Sequence, residues 1–485
     1  MSPQTAIWAV FATYLVALFG LAWMSRRSGS SLEGFYLGDK GFPGWAIAFS
    51  TNATGESGWL LLGLTGMGYL VGLSALWIIV GEVLGIWLAW RFLARRLKRG
   101  ADRWDAITVP DYLAGRFADK SGLLRMAAVL IILSMVVIYT SAQVVATGKA
   151  FHTFLDLDYA TGALLGGAIA LAYTTVGGFA AVVYTDVLQG VLMLVGLAAL
   201  PIVGISMAGG WDAMLATLRA DDPSLVAIFG EGGLSTAGIV AVISSVAIGL
   251  PFLGVPQLLV RFMALSDEGE VRKAASLSVA CLAVYTVGAV LTGVAGRALF
   301  PGLVDHETIM PTMSRELFPP LVTGLFVTVV LAAIMSTVDS LVLLASSAVV
   351  RDTAQKVFGL KGSERQLSLY GKLVTLAIGV GAMVIALDSD RAIFSFVLFA
   401  WSGLGAAFGP LVLCSLYWKR MTRAGALAGM VGGFAATIAW TVWGKEGFHG
   451  LYEAVPGYAA AFALIFVVSL MTRPPAPDPT SSTSS

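Results

Sequence analysis

The sequence predicts an all-α integral membrane protein of about 13 transmembrane helices, and three observations predict it. The chain of 485 residues is 57% hydrophobic and only 12% charged, where soluble domains carry roughly 25% charged residues. Apolar runs of about 20 residues, the length that crosses a hydrocarbon core, recur from end to end. Lysine and arginine collect in alternate connections, as the positive-inside rule requires of a chain that crosses and recrosses a bilayer. A formal net charge of +1 argues against a nucleic-acid partner. Cys281 and Cys414 lie in apolar segments and offer neither a disulfide framework nor metal-ligand spacing. His152, His306 and His449 fall at segment ends or loops, which argues against a histidine relay through the membrane.

The apolar windows fall roughly at 5–24, 44–70, 72–94, 122–151, 159–176, 182–207, 236–263, 273–299, 315–350, 367–387, 391–418, 424–443 and 450–471. The first run, Ala6–Met24, is too long for a signal-peptide core, and Arg26–Arg27 follows it rather than precedes it, so it predicts a spanning helix. The window at 315–350 is overlong, and part of it is expected to form an external loop or helix. With the N-terminus outside, the inside connections hold Arg26, Arg27 and Lys40, then the run from Arg91 to Arg103. Arg272, Lys273, Arg351, Lys356, Lys361, Arg365, Lys419, Arg420, Arg423 and Arg473 follow on the same side. The outside keeps Lys149, Arg219, Arg297, Arg315, Arg391 and Lys445. The expected topology is therefore N-out and C-in. Asp102 to Lys120 reads as a short amphipathic inside connection. A polytopic domain is expected over 1–472, followed by a Pro/Ser-rich disordered tail at 473–485.

Two segments carry interruptions. Ser50 to Gly68, STNATGESGWLLLGLTGMG, begins with Asn, Thr, Gly, Glu and Ser inside a spanning segment. In hydrocarbon, irregular backbone survives only where it is buried in protein or lines a cavity. A small-residue packing face explains the glycines but not Asn52 or Glu56. The seventh segment contains Gly249-Leu-Pro-Phe-Leu-Gly-Val-Pro256, which cannot continue a regular helix. Unwound helices at corresponding places of two repeats mark the binding site of inverted-repeat transporters. Because the breaks lie five segments apart, the sequence predicts a five-plus-five repeat. Its halves span about 44–207 and 236–418, with 5–24, 424–443 and 450–471 peripheral.

Four carboxylates fall inside predicted spans: Glu56, Glu82, Asp186 and Asp339. Such groups are functional candidates by default. Asp339 belongs to Ala332-Ala-Ile-Met-Ser-Thr-Val-Asp-Ser340, where Ala333, Ser336 and Ser340 share one helix face. Hydroxyls and a carboxylate at this spacing offer the hard oxygen ligands that a cation such as sodium prefers. For a single serine, bonding to its own helix carbonyl explains as much. Glu82 reads equally as a snorkelling or interhelical group and is assigned no role.

Ser57-Gly-Trp-Leu-Leu-Leu-Gly-Leu64, the run from Ala332 to Val350 and the run from Ala406 to Met430 resemble the sodium:solute symporter family. TVPDYLAGRF (108–117), YTDVLQG (184–190) and RFMA (261–264) add to the likeness, which extends from about Tyr36 to about Met471 and is nearest the bacterial sodium/proline symporters. The resemblance implies a LeuT-type fold of thirteen helices. It implies a main sodium site at Ala53 and Glu56, through its carbonyl, with Ala333, Ser336 and Thr337. It implies a second cation site at Asp186, Asp339 and Ser340. It places proline on Ser57, Gly58, Trp59 and Tyr139, with Ile248, Phe252 and Pro256 of the second break. Three positions depart from the pattern. Thr54-Gly55-Glu56 stands where the proline branch has Ser-Asp-Met. Ile248 and Phe252 replace a tryptophan and a tyrosine, and Glu82 replaces an apolar residue.

The expected function is import of a small solute with sodium by alternating access, across a bacterial inner membrane. L-proline is the first candidate. The alternative is a sodium- or proton-coupled symporter for another amino acid or small carboxylate, with Glu56 as the group through which a proton would couple. An intramembrane hydrolase would need a nucleophile with a histidine base or a metal pair, and neither pattern is present. A channel would need a continuous polar face, which these helices lack.

Overall fold

The computed structural model describes residues 2–25, 31–387 and 393–473. Arg26, Arg27, Arg391 and all of the predicted tail after Arg473 lie outside the described residues. The chain runs through α1 (Pro3–Ser25), α2 (Leu32–Leu37), α3 (Gly44–Gly58), α4 (Thr65–Val71), α5 (Leu76–Leu88) and α6 (Arg95–Arg103). Next come α7 (Val109–Arg116), α8 (Leu123–Leu155), α9 (Tyr159–Met207), α10 (Trp211–Asp221), α11 (Thr236–Ala247) and α12 (Pro256–Met263). The second half holds α13 (Val271–Leu299), α14 (Ile309–Leu317), α15 (Pro320–Ser347), α16 (Glu364–Leu387), α17 (Ile393–Tyr417), α18 (Arg423–Ala439) and α19 (Ala454–Met471).

Among the described residues, eleven helical stretches are long and apolar enough to cross a membrane. One of them, Gly44–Arg103, is interrupted at Gly72, whose φ of +59° only glycine adopts at ease. Within α9, Gly178 at φ +62° breaks the helix and turns the chain back on itself. Tyr173 before that turn and Gln189 after it both reach the level of Met335. Tyr173 Oη donates to the Met335 carbonyl at 3.0 Å, and Gln189 Nε2 to Tyr14 Oη at 3.0 Å, which itself faces Met335 Sδ. The overlong window at 315–350 also divides. Phe318 is extended because proline follows it, Pro319 caps, and Pro320 opens α15 at the position where a missing N–H does no harm.

Tails of lipid are as apolar as leucine, so close backbone packing and polar contacts must hold such helices together. α3 lies at the centre, against α9, α13, α15 and α12. α5 meets the second break over glycine alone. A Cβ on Gly249 would sit 1.8 Å from the Gly81 carbonyl, and one on Gly85 would sit 2.1 Å from the Gly249 carbonyl. Val16, Trp23, Leu130, Val195, Ile202 and Val384 are exposed on the outer surface, where a bilayer would cover them.

At the basic end of the bundle a buried ion network ties α7, α8 and the extension of α15 together. Arg125 bonds Asp111 at 2.6 Å and also Asp352; Arg351 bonds Asp111 at 3.0 Å. Burial pushes the Asp111 carboxyl up, but Arg351 and Arg125 outweigh it and hold the group below the usual carboxylate range.

Candidate functional site

The first break is narrower than its polar sequence suggests. Ser50 to Glu56 stay helical, and the chain leaves the helix at Ser57, at φ +52° and ψ −172°. The polar side chains find tertiary partners and so leave the helix intact. Asn52 exchanges hydrogen bonds with Ser278, donating to its carbonyl at 2.7 Å and accepting from its hydroxyl at 2.5 Å. A positive φ at a serine costs on the order of 1–3 kcal/mol, and three neighbours hold it. The Gly58 N–H donates to Gln143 Oε1 at 2.8 Å, the Trp59 N–H to Ser57 Oγ at 3.1 Å, and Tyr139 Oη to Ser57 Oγ at 3.5 Å.

Facing this break, the Ser-Thr run of α15 meets the carbonyls of α3. Ser336 Oγ donates to the Ala53 carbonyl at 2.8 Å and to the Ala333 carbonyl at 2.9 Å. Thr337 Oγ1 donates to the Thr54 carbonyl at 3.0 Å and to the Ala333 carbonyl at 3.3 Å. Ala53, Ala333, Ser336 and Thr337 are thus one oxygen cluster, joined by the Thr54 carbonyl, which the sequence did not single out. The carbonyl of Glu56 instead accepts the Trp59 N–H. All five donors are neutral oxygens, a set suited to a weakly held monovalent cation. No His, Cys, Asp or Glu group that could hold a metal occurs among the described residues.

The three residues expected to form a second cation site also come together, but around a guanidinium. Arg261 Nη2 reaches Asp186 Oδ2 at 2.9 Å, Ser340 Oγ at 2.7 Å and also Thr54 Oγ1, while its Nε donates to Ser50 Oγ at 2.7 Å. Asp339 accepts from Tyr173 at 2.8 Å and from Ser340 at 3.1 Å. Arg261 is 1% exposed, and its charge stands where the resemblance placed a cation. The signal was present in the sequence, since an arginine inside a span calls for a carboxylate partner. A cleft lined by Tyr36, Ile107, Phe179, Gln257 and Ser347 lies beside this cluster.

The expected substrate residues surround a closed aromatic box. The second break runs as a 3₁₀ turn over Leu250–Leu253, and Pro256 restarts the helix that carries Arg261. Phe252 packs on Gly55 and meets Trp401 edge-on at 5.2 Å; Tyr139 meets Trp401 at 6.4 Å. Trp401 donates its indole N–H to the Ile248 carbonyl at 3.1 Å. A tryptophan therefore reaches the second break from α17, although position 248 has none. Trp59 stacks on Phe394 at 5.6 Å. Neither Trp401 nor Phe394 carries a local sequence signal, whereas Gln143 is a lone amide in an apolar helix and could have been found. The box is short of polar partners: both Glu56 carboxylate oxygens, Trp59 Nε1 and Gln143 Nε2 are buried without one.

Comparison with known proteins matches this architecture. A sequence model described as the sodium:solute symporter family matches residues 35–433. The chain is 39% identical to the high-affinity proline transporter PutP of Bacillus subtilis, over 94% of this chain and 96% of that one. It is 36% identical to a sodium/proline symporter of Staphylococcus aureus, over 96% and 93% of the two chains. Among solved structures, a Na⁺-coupled sialic acid symporter in a substrate-bound outward-open state superposes with a TM-score of 0.79. That pair is 18% identical, over 97% of this chain and 98% of the other. The transporter MhsT, bound to L-phenylalanine, superposes with a TM-score of 0.53 at 16% identity, over 88% and 97%. The fold is that of the LeuT-type transporters, and the chain belongs to the sodium:solute symporter family.

Proposed function

We propose that this protein imports L-proline together with sodium by alternating access, as a multi-pass protein of a bacterial plasma membrane with thirteen passes, N-out and C-in. The observation that carries the reading is the oxygen cluster formed by Ser336 and Thr337 with the Ala53, Thr54 and Ala333 carbonyls. It spans α3 and α15 and adjoins the broken backbone at Ser57. Sodium entering there would take the place of the direct hydroxyl-to-carbonyl bonds and fix the spacing of the two helices. A cation that binds one spacing better than another shifts the population toward it. Proline would then lie between the two breaks. Its carboxylate would meet the unpartnered Trp59 and Gln143 donors at the end of a half-helix, where the dipole favours an anion. The names of the relatives support the pairing of sodium with proline. The work is transport, and no bond-making chemistry is assigned. The two unpartnered oxygens of Glu56 favour a second reading, in which a proton accompanies another amino acid or small carboxylate.

Labelled proline uptake into proteoliposomes tests this, with an imposed sodium gradient and with a proton gradient alone. Uptake driven by sodium is expected. Uptake driven by protons alone would replace sodium as the coupling ion. No uptake under either gradient, with the protein still stabilised by sodium, would mean that the same machine carries another solute.

A further inference from the structure

Glu82 belongs neither to the sodium cluster nor to the arginine cluster, yet it is 2% exposed and its Oε2 has no hydrogen-bond partner. Its helix, α5, packs through Gly81 and Gly85 directly on the backbone of Val246 and Gly249. That contact sets Glu82 beside the second break. Glu56 lies beside the first, next to Gly55, which packs on the Phe252 ring. Both carboxylates thus adjoin the second break, Glu82 through its backbone at Gly249 and Glu56 through Gly55 on the Phe252 ring. From α13, Tyr285 gives its hydroxyl to the Gly190 carbonyl at 2.7 Å, and Cys281 is buried one turn before it. Phenols and a thiol balance no negative charge. The nearby cation, Arg261, is paired with Asp186.

The buried polar groups around the two breaks therefore include unpartnered acceptors, both Glu56 oxygens and Glu82 Oε2, and unpartnered donors, Trp59 Nε1 and Gln143 Nε2. A buried polar group without a partner is unfavourable unless a ligand completes it. The donors suit a carboxylate. A primary or secondary ammonium suits the acceptors, and a secondary ammonium has two N–H bonds for two carboxylates. We propose that Glu82 is a specificity-determining residue which, with Glu56, receives the two N–H bonds of the substrate's secondary ammonium. The preferred substrate class is then a cyclic imino acid. This rests on the proposed function and adds to it what recognises the nitrogen.

The test is competition against labelled proline uptake by L-proline, N-methyl-L-proline, N,N-dimethylproline and tetrahydrofuran-2-carboxylate. These offer two, one, no and no N–H bonds, the last without an ammonium charge. In the wild type each lost N–H weakens competition about tenfold, the scale of a charge-assisted hydrogen bond. In Glu82→Gln and Glu82→Leu, proline weakens about tenfold and becomes indistinguishable from N-methyl-L-proline, while the half-saturating sodium concentration stays the same. Glu82→Gln preserves volume, and sodium-dependent thermal stabilisation shows that each variant is folded. Variants that keep the wild-type ranking would overturn the proposal, as would tetrahydrofuran-2-carboxylate competing like proline. If the wild type takes up no proline, the parent reading fails and the pair is judged by thermal stabilisation in sodium. Stabilisation by the secondary amine alone, lost in Glu82→Gln, supports it. Equal stabilisation by amine and oxygen isostere, or by neither, overturns it.

Discussion

Two regions of α3 lie within one helical turn of each other and are finished in opposite ways. Around Ser50 and Thr54, Arg261, Asp186 and Ser340 form a network of direct hydrogen bonds, in which Asp186 Oδ1 and, beside it, Thr51 Oγ1 and the Gln257 amide have no partner. Around Glu56 to Trp59, both Glu56 carboxylate oxygens, the Trp59 indole N–H and the Gln143 Nε2 are buried with none. In an environment without water, a satisfied cluster is a structural brace, and an unsatisfied one describes the ligand that completes it. The Ser336–Thr337 oxygen cluster, the proposed sodium site, stands between the two. Its hydroxyls are satisfied by carbonyls that a cation could claim.

The contrast breaks first at Arg261. Arg261→Met leaves Asp186 as an uncompensated buried charge and should lower stability by about 3–5 kcal/mol. Thermal unfolding in detergent reads this, and Arg261→Met combined with Asp186→Leu should recover most of the loss. A stable single variant would mean that the network braces nothing. Next in size is Gly249→Ala, whose Cβ would meet the Gly81 backbone at 1.8 Å. Separating α5 from the second break should lower stability by about 1–3 kcal/mol and weaken proline binding by moving Glu82. Unchanged proline affinity in this variant would detach Glu82 from the break.

Ser336→Ala or Thr337→Ala should raise the half-saturating sodium concentration about tenfold, near 1.4 kcal/mol, with a small change in thermal stability. Sodium titration of uptake decides it, and wild-type dependence in both would remove the site. The smallest effect belongs to the ion network at the basic end. The folded-state value of Asp111 is held low by Arg351 and Arg125. Its stabilisation is therefore present above the unfolded carboxylate value, about 4, and is lost as pH falls through the lower folded value. Asp111→Asn should remove about 1 kcal/mol at neutral pH and flatten the acid side of the stability profile. An unchanged slope would mean that the pair contributes nothing.

The apolar helical segments, the second break and the Ser-Thr run were legible because hydropathy, proline and paired hydroxyls are local signals. Pro251 and Pro256 announce a break whatever packs around them, and the pair Pro319–Pro320 explains why the window at 315–350 divides. The single-residue break at Ser57 was not legible. Whether Asn52 and Thr54 unwind a helix depends on Ser278 and Asp186, which lie far away in sequence. For the same reason the pairing of Asp186 with Arg261, 75 residues on, was not legible. The indole expected at position 248 arrives from Trp401, across 153 residues. A ring delivered by another helix leaves no trace in the local pattern.

The division between brace, proposed sodium site and proposed substrate site is tested most directly by equilibrium sodium binding without substrate. The measurement is made on the wild type, Ser336→Ala and Glu82→Gln. Ser336→Ala should bind sodium about tenfold more weakly, and Glu82→Gln should bind it as the wild type does. Equal weakening in both variants would contradict the account, because the carboxylate beside the second break would then belong to the sodium site.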